Sequence, residues 1–149
     1  MGSGEDPITY EYGYEDQTIH GIILLKCIEG CYQDHNFIFS TQEASESLKT
    51  EHLLGCGGGG EAPNLFLPKG TGASQRHCLF TFDQNAWWIN DERSSNGTFL
   101  LIRNYEQFMA NSISNAVPLF QRIPNHPRGE YFDSAVILVA KYTFMLQKI

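Results

Sequence analysis

Residues 78–102 read CLFTFDQNAWWINDERSSNGTFLLI, and their pattern decides the fold. Cys78, Phe80 and Phe82 alternate with Leu79, Thr81 and Asp83, the period-two pattern of a strand lying on a core. AWWIND, residues 86–91, reads as a second short strand, and NGTFLLI, residues 96–102, as a third entered from a turn. Toward the N-terminus, LLG (53–55), NFIF (36–39) and GIILLKCI (21–28) are further short apolar runs, the last ending at Gly30. NLFLP (64–68) is closed by Pro68. Toward the C-terminus, SAVILVA (134–140) and YTFML (142–146) form a closing hairpin.

Between these runs the signals weaken. TQEASESLKTEH, residues 41–52, has helix-like composition but no broad apolar face, which predicts a surface loop or a single helical insertion. Asn104 to Gly129 contains Pro118, Pro124 and Pro127 and reads as a long excursion with one short helix over Tyr105–Ala110. Many short strands with Gly, Pro, Asn and Asp punctuation predict an all-β sandwich or barrel.

A chain of 149 residues, 42% hydrophobic and 13% aromatic, has enough apolar material for one core. The first 18 residues are acidic and tyrosine-rich without apolar alternation, so the domain is expected to span residues 19–149. A formal net charge of -7, with no basic stripe, argues against nucleic acid and anionic membrane surfaces as partners. No apolar run approaches the roughly 20 residues of a membrane-spanning helix. MGSGEDP lacks the basic lead of a signal peptide, and Asp6 stands where myristoylation needs Ser or Thr. These features predict an intracellular protein, cytoplasmic or nuclear; no feature of the sequence fixes an oligomeric state.

The four cysteines read as reduced thiols. Cys27 and Cys31 are spaced like half a zinc site, but no second pair follows, and His35 and His52 stand at no recognised spacing. Two side chains flanking a turn at Gly30 are the simpler reading, and no metal or other cofactor is expected. GCGGGG, residues 55–60, lacks the Gly-Lys-Ser/Thr of a phosphate-binding loop. Cys56 and His77 can be drawn as nucleophile and base, yet no G-x-S-x-G or H-E-x-x-H accompanies them. The chain is not expected to be an enzyme; a small cysteine hydrolase or metal-binding protein is the remote alternative.

Ser74 and His77 in ASQRHCLF, followed by Asp91, Ser94, Asn96, Gly97 and Thr98 without a gap, resemble the forkhead-associated (FHA) domain family. Its hallmark is Gly-Arg closing one strand, Ser-x-x-His opening another, then Asp-x-x-Ser-x-Asn-Gly-Thr. The resemblance implies a β-sandwich of two mainly antiparallel sheets (SMAD/FHA type) with short helical insertions. It also implies a protein–protein interaction module whose partner is a phosphothreonine-containing peptide or protein. On that basis the Ser74 hydroxyl donates to the phosphate, Asn96 holds the peptide backbone, and Ser95 is ligand-facing. Gly55, His77, Asp91, Ser94, Gly97 and Thr98 become structural, with His77 and Thr98 satisfying backbone groups and Gly97 permitting a tight turn.

One departure bears on affinity. The family's Gly-Arg is Gly55-Cys56 here, and cysteine brings neither the charge nor the donor fork of arginine. Arg76, Arg93 and Lys69 are the candidate compensating cations, and the glycine run offers backbone amides as an anion nest. Arg76 joins Ser74, Ser95 and Asn96 in the expected phosphopeptide-binding set. The competing expectation is a degenerate module that binds an unphosphorylated partner or self-associates through a sheet face.

Overall fold

Alternation of residue type becomes alternation of burial. In β1 (Ile22–Glu29) Ile23, Leu25 and Cys27 are wholly buried while Lys26 and Ile28 face outward. In β6 (Ala86–Asp91) Trp87, Ile89 and Asp91 point inward. β5 (Cys78–Asp83) buries Cys78 and Phe80 and half-buries Phe82, as its period requires. The computed structural model describes residues 21–42, 49–60, 62–102, 107–109, 116–120, 122, 127–130 and 132–149. The acidic segment at residues 1–18 lies outside the described residues.

The strands form two facing sheets. One has the order β2-β1-β11-β10-β7-β8, with β2 Asn36–Ser40, β7 Thr98–Ile102, β8 Gln107–Met109, β10 Ser134–Val139 and β11 Tyr142–Lys148. The other has the order β4-β3-β5-β6-β9, with β3 Glu51–Gly55, β4 Leu65–Phe66 and β9 Val117–Pro118. Among the described residues all pairings are antiparallel except β3 with β4. Asn64 fixes that exception: its side-chain Oδ1 accepts from Leu53 N–H at 2.7 Å, and its own N–H donates to Leu53 O at 2.8 Å.

Between the sheets lies one apolar cluster in which Phe39 meets Phe80 edge-on, ring centroids 5.3 Å apart, and Tyr142 stacks on Phe144. Burying each such side chain contributes about 1.5–3 kcal/mol.

Two expectations need amendment. Of the short helix expected over Tyr105–Ala110, residues 105, 106 and 110 lie outside the described residues, and residues 107–109 are the strand β8, paired with β7 through Leu100↔Met109 and Ile102↔Gln107. A helix of that length is marginal alone, whereas the open edge of β7 supplies ladder partners at once. No helix occurs among the described residues, so the short helical insertions have no counterpart there. Of TQEASESLKTEH, residues 43–48 lie outside the described residues, and Glu51 and His52 open β3.

Register decides which loops meet. Cys78 pairs with Asp91, so the loop into β5 and the loop out of β6 leave the sandwich at the same end. Thr98 pairs with Val139, which brings the β10–β11 turn to that end too. Ser74 and Asn96, far apart in sequence, therefore become neighbours.

Candidate functional site

His77 joins the two loops from beneath. It is wholly buried; its Nδ1 accepts from Ser74 N–H at 3.1 Å and its Nε2 lies 2.8 Å from Gly97 O. A carbonyl can only accept, so Nε2 carries the proton and the ring is the neutral tautomer that satisfies both neighbours. One ring thereby fixes the end of the first loop to the end of the second.

Asp91 organises the second loop. It is 5% exposed at the inward end of β6, and it accepts three hydrogen bonds. Ser94 N–H donates to Oδ2 at 3.0 Å, while Ser94 Oγ and Thr98 Oγ1 donate to Oδ1 at 2.6 and 2.7 Å. Ser94 Oγ in turn accepts from Gly97 N–H at 2.9 Å. A buried carboxylate is tolerable because donors surround it. Gly97 completes the turn at φ 81°, a left-handed value at which a Cβ is strained. Thr98 departs from expectation in detail: its hydroxyl serves the Asp91 carboxylate, not a backbone group.

The expected ligand-facing residues come together above this frame. Ser74 Oγ accepts from Ser95 N–H at 2.9 Å, which directs the hydroxyl proton away from the loop. Asn96 Nδ2 donates to Gly72 O at 2.7 Å, leaving its carbonyl and second N–H to solvent. Ser74, Ser95 and Asn96 line one open depression of about 790 Å³ with Cys56, Gln75, Arg76 and Glu92. Gly55 makes the close packing possible, because a Cβ there would collide with the Gln75 carbonyl. Cys56 N–H donates to Ser74 O at 2.9 Å, so the third loop is tied to the same wall.

The candidate cations separate. Arg76 lines the depression; Lys69 and Arg93 are exposed and do not. The glycine run contributes Gly59 to the rim, with positive φ from Gly57 to Gly60.

Glu92 is the residue that sequence reasoning missed. Arg76 Nε and Nη2 both donate to its Oε1, at 3.3 and 3.0 Å, and Asn90 Nδ2 donates to its Oε2 at 2.8 Å. No motif in the sequence marked it: the Cys78↔Asp91 register, continued past the strands, sets Glu92 opposite His77, whose carbonyl accepts from Glu92 N–H at 2.9 Å, with Arg76 next along the chain.

The cysteines occupy four different settings, none in a disulfide. Cys78 is buried, and burial first, then the nearby Asp91 carboxylate, pushes its thiol well up. Cys27 is buried and its thiol donates to Glu29 O; desolvation pushes it up as well. Cys31 is exposed in the β1–β2 turn, 3.2 Å from the Tyr142 hydroxyl. Cys56 is half-buried, and its thiol faces Gly57 O at 3.7 Å. Both His77 nitrogens are engaged elsewhere, so Cys56 receives no base from it. Among the described residues, no three His, Cys, Asp or Glu side chains are grouped to hold a metal, and no helix is long and apolar enough to cross a membrane.

Two sheets, with this loop frame at one end, define an FHA-type β-sandwich. Residues 53–119 match the FHA domain family model, a span that contains every motif residue described above. Solved structures agree on the fold. One, from a structural and functional analysis of phosphothreonine-dependent FHA domain interactions, superposes with a TM-score of 0.53 at 18% identity, covering 85% of this chain and 95% of that one. The FHA domain of an Arabidopsis thaliana hypothetical protein gives 0.55 at 22% identity, covering 85% and 83%. Mycobacterium tuberculosis EmbR, solved in complex with a low affinity phosphopeptide, gives 0.55 at 16% identity over 85% of this chain and 24% of its own. Among curated proteins nothing matches the chain.

Proposed function

We propose that this chain is a protein–protein interaction module, not an enzyme, and that its loop end binds a phosphothreonine-containing segment of an intracellular partner. The observation that carries the reading is the direct contact between two loops, Ser74 Oγ to Ser95 N–H and Asn96 Nδ2 to Gly72 O, on one open wall. Two similar structures were studied with phosphothreonine or phosphopeptide partners, which supports the same ligand class here. A phosphothreonine presents about two negative charges and three acceptor oxygens. Ser74 offers a hydroxyl donor to those oxygens, Arg76 a charge, and Asn96 holds the peptide backbone, with Ser95 facing the ligand beside it. The domain spans residues 19–149, and its free thiols suit a reducing compartment.

Cys56 in place of the family's arginine makes this a weak reader. A hydrogen bond to a charged group is worth about 1.5–3 kcal/mol, so its absence lowers affinity roughly ten- to a hundredfold. A second reading, phosphate-independent capture, is favoured by the Glu92 carboxylate in the wall of the depression.

A phosphothreonine peptide library, read by fluorescence polarisation, decides between them. Binding is expected to disappear on phosphatase treatment and in Ser74→Ala, and to strengthen in Cys56→Arg. Peptides retained equally after dephosphorylation would overturn the proposal in favour of phosphate-independent capture.

A further inference from the structure

We propose that Arg76 and Glu92 form a charge-exchange latch that selects phosphothreonine peptides carrying a Lys or Arg next to the phosphorylated residue. The inference rests on the phosphopeptide reading above and names which peptides satisfy it.

The carboxylate of Glu92 is a built part of the wall. Oε1 receives two donors from Arg76 and Oε2 receives the Asn90 amide, so the group is held from both sides. Main-chain pairing of Glu92 N–H with His77 O fixes its base. The Arg76 and Glu92 side chains are 40% and 20% exposed, accessible to a ligand and only partly screened. Both line the same depression as Ser74, Ser95 and Asn96.

A phosphate seated on the Ser74 hydroxyl meets two opposite charges at once. Arg76 attracts it, while Glu92 repels it and competes for the same guanidinium donors. Swinging the carboxylate aside breaks its bond to Asn90, so the repulsion is not relieved without cost. A neutral-flanked peptide leaves the carboxylate facing the phosphate with its own cation partly withdrawn. A peptide with an adjacent Lys or Arg removes the conflict: the phosphate takes Arg76 and the ligand's cation takes Glu92. An acidic flank adds a third anionic group beside the phosphate and Glu92 and is rejected. The net charge of -7 over the whole chain acts in the same direction.

Two unit charges about 6 Å apart at a half-screened surface interact by an amount that changes affinity about tenfold. The test uses three phosphothreonine peptides identical except for Lys, Ala or Glu at the flanking positions, titrated by calorimetry. For the native protein the Lys peptide is expected to bind about tenfold tighter than the Ala peptide, and the Glu peptide weakest. In Glu92→Gln, which retains an acceptor for Asn90, the Ala peptide tightens and the Lys preference falls to about twofold or less. Equal affinities for the three peptides in the native protein, or a Lys preference undiminished in Glu92→Gln, would overturn the latch.

A second measurement separates the latch from the function it serves. The Arg76 Nε–H resonance is followed by NMR while inorganic phosphate is added. It is expected to move in Glu92→Gln at concentrations that leave the native protein unchanged. Should no phosphothreonine peptide bind any version while this resonance responds only in Glu92→Gln, the competition stands and the peptide reading falls. If the resonance responds equally in both proteins, or in neither, the latch falls whatever the peptides do.

Discussion

His77→Leu isolates the joint between the two loops. Leucine fills much of the imidazole volume but offers neither acceptor nor donor. The substitution therefore orphans the Ser74 N–H, now 3.1 Å from Nδ1, and the Gly97 carbonyl, now 2.8 Å from Nε2. Each buried polar group left without a partner costs about 1–3 kcal/mol. Gly97 is buried and Ser74 half-buried, so the sum falls at about 2–4 kcal/mol. In a domain of this size that lowers the melting temperature by roughly 10 °C. Urea unfolding followed by tryptophan fluorescence is the assay, since Trp87 is 2% exposed and reports on the core. The midpoint should fall at unchanged slope, because the same surface is exposed on unfolding. A loss smaller than about 0.5 kcal/mol would refute the claim that one ring secures both loops.

Three further outcomes follow from the same geometry. Ser74→Ala should leave stability within about 0.5 kcal/mol of the native protein, since its hydroxyl receives a single bond at an exposed position; a large loss would make Ser74 a folding residue instead. With a thiol reagent Cys31 should react first and Cys78 only on unfolding, because one is exposed while burial raises the pKa of the other; fast native labelling of Cys78 would contradict its placement. Burial, aided by the Cys31 hydrogen bond, pushes the Tyr142 phenol up from 10.0 to about 12. The folded state then holds that proton more tightly than the unfolded chain, so the contribution is complete below pH 10 and is lost as pH rises to 12. The stability advantage of the native protein over Tyr142→Phe should shrink by roughly 2–3 kcal/mol across that interval, and a constant difference would refute the shift.

Much of this molecule is written locally. Period-two alternation in Cys78–Asp83 and the apolar run before Asp91 specify strands wherever they fold, because the backbone itself sends successive side chains to opposite faces. The Ser-x-x-His and Asp-x-x-Ser-x-Asn-Gly-Thr segments likewise carry their own turn chemistry: Asp91 caps Ser94, and Gly97 accepts a φ other residues resist. What the sequence did not determine is pairing. The segment around Gln107–Met109 has no strong preference of its own and became a strand because the edge of β7 was open to it. Charge partners obey the same rule. Arg76, Arg93 and Lys69 are equivalent cations on paper, and only the Cys78↔Asp91 register placed Arg76 in the wall and set Glu92 against it. Local sequence fixes the conformation of a segment, whereas the neighbours of a side chain depend on strand register, which the whole fold must settle.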